Sequence, residues 1–187
     1  MKDSLGVYYF KGTNTDVTNN YVLLGDHIWR VLEFEYSNGT ILLISENDLG
    51  SVKPTSVWTN EEEYISNPIN VFLNTTFYNS LSEQVKKKIT KNYFSIQFYY
   101  DNNEITTYQN VGLLSYEQYN KYGSYASDKK TIIGNPYDSQ YLSFVDHGVW
   151  SRFLAINLIS VRPVIRIYYS IILGGDGSLE NPYILKT

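Results

Sequence analysis

VRPVIRI at residues 161–167, followed by GGDGSLENPYIL at residues 174–185, is the most informative stretch of the chain. The first segment is an apolar strand that carries Arg162 and Arg166, and the second is a glycine-rich turn followed by a short closing strand. Arg162 is expected to meet a buried carboxylate or backbone carbonyls, with Arg166 on the same face. Trp29, Arg162, Gly175 and Pro182 are assigned structural roles.

Working upstream, the first third reads as antiparallel sheet. Residues 21–24 and 28–36 flank a Gly25-Asp26 turn, and residues 28–36 and 40–45 flank Asn38-Gly39, a dipeptide suited to a type I′ hairpin. In the middle strand Ile28, Leu32, Phe34 and Tyr36 fall on one face, interrupted by Arg30, while Glu33 and Glu35 take a second face that reaches solvent towards the strand's end. Residues 7–10 read as a further strand.

The next segment is helical. Asn67 before Pro68 starts a short helix running to about Asn74, because proline at the first helical position gives up no needed hydrogen bond. Ser80 with Glu83 forms a capping-box pattern ahead of a second helix, in which Leu81, Val85 and Ile89 repeat every fourth residue and Lys86 to Lys88 face out. Two strands follow around Asp101-Asn102-Asn103, then a buried strand at 111–114. Ser115 with Gln118 caps a short helix that ends at Gly123. Residues 124–139 are polar, with turn signals at Ser127-Asp128 and Gly134-Asn135-Pro136, and read as a long surface loop. Strands return at 141–145, 148–154, 160–169 and 183–185. No internal repeat or linker divides the chain, so residues 1–187 are read as a single domain.

Composition excludes several functions. Charged residues make up 18%, aromatics 16% with 19 tyrosines, and the net charge is −4, so there is no basic footprint for nucleic acid. At 187 residues the chain can bury roughly two-thirds of its unfolded surface. Absence of cysteine removes disulfides and thiol chemistry and leaves the redox compartment open. No run of eighteen apolar residues offers membrane insertion. The chain is either cytosolic or a piece of a longer exported protein, and a strand beginning at once favours the piece.

The sequence lacks a nucleophile elbow, phosphate loop, dinucleotide fingerprint and H-E-x-x-H. Its two histidines, His27 and His147, fall in turns, so no metal site or cofactor is expected. Acidic turns at 46–48, 101–104 and 176–180 do not match the EF-hand spacing. Asn38 and Asn74 sit in N-glycosylation patterns that their turn and helix-end roles already explain. Tyrosines and tryptophans suit recognition of protein or sugar surfaces, and many also pack half-buried on sheet faces.

Five segments taken in order, NNYVLLGDHIWRVLEF, INVFLNTTFYNSLSEQVKKKI, VGLLSYEQYNKYGSYA, VRPVIRI and GDGSLENPYIL, resemble an uncharacterised domain of Gram-positive bacterial surface proteins. That domain is similar to the C-type-lectin-like, formylglycine-generating-enzyme-related superfamily. The resemblance implies an α+β, C-type-lectin-like single domain with antiparallel sheets, two to three short helices and long surface loops. It also implies an extracellular place at the cell surface beside neighbouring domains of a parent protein. The superfamily's oxidative activity needs cysteines that this chain lacks. In lectin-like folds the loops before the last long strand form the ligand face, which here offers Tyr141, Asp146, His147, Trp150, Arg152 and Asn157. The expected function is a non-catalytic recognition module for a glycan or protein ligand. A structural spacer without a ligand and a hydrolase of unrecognised type stand as alternatives.

Overall fold

The computed structural model describes residues 8–9, 19–97, 104–122, 131–136, 141–146, 149–170 and 172–186. The architecture is a mixed α/β fold dominated by sheet, with a curled half-barrel sheet and a few short helices. Its centre is β3 (His27–Glu35), β4 (Thr40–Ser45) and β14 (Val164–Tyr168), a run of apolar strands in which every residue of β4 is buried. The nine-stranded sheet has the path β15 (Ile172–Gly174), β16 (Tyr183–Leu185), β2 (Tyr21–Leu24), β3, β4, β14, β6 (Ile89–Thr90). β1 (Tyr8–Tyr9) joins β3, and β9 (Val111–Gly112) joins β14.

Among the described residues, pairing departs from the antiparallel expectation where β16 runs parallel to β2, with Tyr183 opposite Val22. The glycine-rich turn makes this possible. Gly175 and Gly177 sit at φ +86° and +82°, Asp176 and Gly177 donate to the Asn181 carbonyl, and Tyr21 N–H donates to the Gly177 carbonyl at 2.9 Å. A side chain at Gly175 would place Cβ 2.1 Å from the Pro182 carbonyl oxygen. Gly175 and Pro182 therefore belong to one close backbone crossing. Residues 161–163 precede β14 without joining it. Their carbonyls still accept from β4 and its flank, Pro163 from Ser45 and Val161 from Leu49.

The alternation read for β3 is broken by a bulge. Val31 pairs with Leu43 and Glu33 with Leu42, so one extra residue, Leu32, lies between them. An inserted residue reverses the inward and outward sense of everything after it. Trp29, Val31 and Phe34 consequently face the main core, while Arg30, Leu32 and Glu33 face a second core formed with Leu42, Ile44, Phe94, Leu114, Tyr122 and Val164. Glu33 is 6% exposed, not solvated as expected. The β3–β4 connection spans residues 36–39, two more than a type I′ hairpin, because Glu35 pairs with Thr40.

The helical region also differs. The α1 helix (Glu61–Ser66), capped by Asn60, was not expected. The run starting at Pro68 has the expected Asn67 cap, whose side chain accepts from Ile69 N–H. It then continues past Asn74 as α2 (Pro68–Val71), a π-helical stretch (Phe72–Phe77) and α3 (Tyr78–Ser80). The following helix, α4 (Glu83–Lys86), is a single turn capped by Ser82, not Ser80, and Ile89 lies in β6. Ser115 and Gln118 cap α5 (Tyr116–Tyr122) reciprocally, each side chain accepting the other's backbone N–H at 3.1 and 3.0 Å. The Gly123 cap, Asp101-Asn102-Asn103 and the turn at Ser127-Asp128 lie outside the described residues, as do residues 7 and 10 of the first strand.

Smaller sheets flank the half-barrel. β7 (Asn92–Gln97) and β8 (Glu104–Gln109) form a hairpin, and β13 (Ile159–Ser160) pairs with β5 (Ser51–Val52). β10 (Thr131–Pro136), β11 (Tyr141–Asp146) and β12 (Val149–Leu154) make a three-stranded antiparallel sheet. Thus the segment read as one long loop contributes a strand, and Gly134-Asn135-Pro136 is the irregular end of that strand. Among the described residues no helix is long and apolar enough to cross a membrane.

Candidate ligand-binding site

The expected ligand residues cluster around β11 and β12. Tyr141 pairs with Leu154, Ser143 with Arg152 and Val145 with Trp150, so positions 141, 150 and 152 share one face of this sheet. The opposite face packs inward. Leu142 is fully buried, and the Phe144 and Phe153 rings meet at 5.8 Å in a T-shaped contact against the main core. Asp146 pairs with Val149, and by alternation its position belongs to the inward-facing set. It does not join positions 141, 150 and 152. The Tyr141, Asp146 and Trp150 side chains and all of His147 lie outside the described residues.

Arg152 is exposed on the outer face, although Ser143, its cross-strand partner there, is fully buried. The chain then turns, with Asn157 N–H donating to the Leu154 carbonyl at 3.0 Å, and displays Asn157 between Ile156 and Leu158, which are 58% and 69% exposed. Sequence reasoning missed these two apolar side chains, although both were legible as isolated hydrophobic residues in a turn. The result is a basic, amide-bearing and apolar edge.

The residues assigned structural roles lie elsewhere. Trp29 is fully buried and its ring lies 6.2 Å from that of Phe77. Arg162 is fully buried and donates from Nε to the Ser45 carbonyl at 2.9 Å, a carbonyl partner of the kind expected. Arg166 lies at a charge cluster that sequence reasoning did not find. It donates to Glu33 through Nη2, and through Nη1 to Glu35 and Thr40 at 3.1 Å each. Glu33 also accepts from Lys121 at 3.1 Å and from the Tyr122 hydroxyl at 2.9 Å. Burial pushes the Glu33 carboxyl up, but Arg166, then Lys121 and Tyr122, outweigh that push and hold it below the usual glutamate range. The cluster pins α5 to the sheet through the face that the Leu32 bulge creates.

An apolar cleft of about 300 Å³ opens at the rim of the main core, walled by Val22, Phe34, Ile41, Tyr169 and Tyr183. Phe34, Tyr36 and Tyr169 surround one another there with ring centroids 5.7 to 6.4 Å apart. In the acidic turn, Asp176 accepts from Ser178 N–H at 2.9 Å, which lowers its pKa and occupies the carboxylate within the turn. Among the described residues no three His, Asp or Glu side chains are grouped to hold a metal ion.

Comparison of the chain with protein-family models, with curated proteins and with solved structures finds no match.

Proposed function

We propose that the chain is a non-catalytic recognition module of a bacterial cell-surface protein, of C-type-lectin-like kind, that binds a glycan or protein ligand on the outer face of the β10–β12 sheet. The observation that carries this reading is the β11–β12 register. It sets the positions of Tyr141 and Trp150 on the same face as Arg152, immediately ahead of a turn that exposes Ile156, Asn157 and Leu158. Aromatic groups offer contact area at low entropic cost, and an exposed guanidinium forms directional, charge-assisted bonds to hydroxyl or carboxylate oxygens. The sheet's other face is committed to the core, and on this face Arg152 and the following residues 156–158 are the exposed groups a ligand can reach, beside a buried Ser143. A sheet-dominated architecture with few short helices supports the lectin-like reading.

The test is a glycan and host-protein array probed with the chain and with Trp150→Ala and Arg152→Ala. Loss of the same array signals in both variants is expected. Unchanged binding in both removes this face from the site.

A further inference from the structure

A second cleft, of about 300 Å³, lies on another part of the molecule, between the π-helical stretch, Lys91 and the end of β8. Its back wall is tied together by the Asn74 side chain. Asn74 Nδ2 donates to the Asn70 side chain at 3.0 Å, to Gln109 Oε1 at 2.7 Å and to the Val111 carbonyl at 2.9 Å, while its Oδ1 accepts from Val111 N–H at 3.1 Å. The π-helical turn presents Asn74 to β9, and π-helical turns are often retained where a site is built.

The mouth carries polar groups that the fold does not use. Among the described residues, Gln109 Nε2, the Asn110 carboxamide and the Thr75 hydroxyl have no hydrogen-bond partner, and Lys91 has no carboxylate partner. The Lys91 ammonium instead lies 5.8 Å from the centroid of the Tyr108 ring, which is 55% exposed and stands beside Tyr93 at 4.9 Å. An exposed aromatic ring next to carboxamides and a hydroxyl matches the two-sided chemistry of a sugar, whose C–H face stacks while its hydroxyls bond to amides. Lys91 is the charged residue in the lining, so the cleft favours an anionic ligand. Its volume is at the lower end of ligand pockets, about 300–1,000 Å³, which suits a single ring.

We infer that this cleft binds an acidic pyranose. The ring lies against Tyr108, its carboxylate meets Lys91, and its hydroxyls meet Gln109, Asn110 and Thr75. The site is separate from the outer face of the β10–β12 sheet and does not depend on that face binding anything.

The experiment follows the side-chain amide resonances of Gln109 and Asn110 in a ¹⁵N-labelled chain titrated with methyl β-glucuronide and, separately, with methyl β-glucoside. Saturable shifts of both amides by the glucuronide are expected, with the neutral glucoside about tenfold weaker, the loss of one charge-assisted hydrogen bond. Lys91→Gln brings the glucuronide to the level of the glucoside, and Tyr108→Ala abolishes both. Arg152→Ala leaves the titration unchanged, so failure here is distinguishable from failure of the outer-face reading. Static amides, equal affinity for the two sugars, or glucuronide binding that survives Tyr108→Ala in a variant with an otherwise wild-type spectrum overturns the inference.

Discussion

Arg166→Met tests whether the charge cluster beneath α5 holds that helix to the sheet. Methionine keeps much of the apolar stem of the arginine and removes the guanidinium. Glu33, 6% exposed, then loses its shortest ionic partner but keeps Lys121 at 3.1 Å and the Tyr122 hydroxyl at 2.9 Å. Breaking a buried ion pair from one side costs about 3–5 kcal/mol, and the two remaining donors place the expectation at the lower limit, about 3 kcal/mol. The second partner, Glu35, is half-exposed and adds little. In a domain of this size about 3 kcal/mol lowers Tm by about 6–12 °C. Urea and thermal denaturation followed by circular dichroism at pH 7 measure both quantities. Adding Glu33→Gln should recover part of the loss, since no charge is then stranded. A destabilisation below about 1 kcal/mol, or a double variant whose loss equals the sum of the single ones, refutes the reasoning.

The cluster also predicts a pH dependence. The folded-state pKa of Glu33 is depressed, so its contribution is fully present above the ordinary glutamate range and is lost as pH falls through the depressed value. Glu33→Gln should flatten that part of the acid limb, and Arg166→Met should shrink it, because burial of Glu33 is then opposed by Lys121 and Tyr122 without the guanidinium; urea midpoints measured from pH 3 to 7 read both. Gly175→Ala forces a side chain at φ +86° to within 2.1 Å of the Pro182 carbonyl oxygen, whereas Gly39→Ala at φ +67° meets nothing within 4 Å. Both pay the left-handed backbone cost of about 1–2 kcal/mol, and the measured stability loss should be clearly greater for Gly175→Ala. Ser115→Ala removes the reciprocal cap of α5 and should destabilise by about 1 kcal/mol in the same denaturation assay.

The local signals in the sequence were reliable where a few neighbouring residues decide the structure. Gly25-Asp26 between two apolar runs, Pro68 after Asn67, and Ser115 with Gln118 are such places, and each stands where its chemistry predicts. Features set by distant partners were not legible. The Leu32 bulge is defined by the register of β4, and the reversal it causes buries Glu33 against Arg166, 133 residues away. The π-helical stretch has its anchor at Val111, 37 residues from Asn74. Thr131–Pro136 holds Ile132 and Ile133 but runs straight into the turn signals Gly134-Asn135-Pro136, so it reads as loop and is a strand by pairing with β11. Alternation along β12 was enough to group positions 150 and 152, yet that Asp146 falls on the opposite face from them depends on the register between β11 and β12. The apolar cleft and the cleft around Tyr108 are assembled from elements far apart in the chain, so neither had a signature in any one segment.

The central claim is recognition through the outer face of the β10–β12 sheet, and isothermal calorimetry of the strongest array ligand against the chain and Arg152→Ala tests it most directly. Loss of one charge-assisted hydrogen bond predicts at least about tenfold weaker binding for the variant, measured where circular dichroism shows it to be folded. Equal affinity of the two proteins for that ligand contradicts the account.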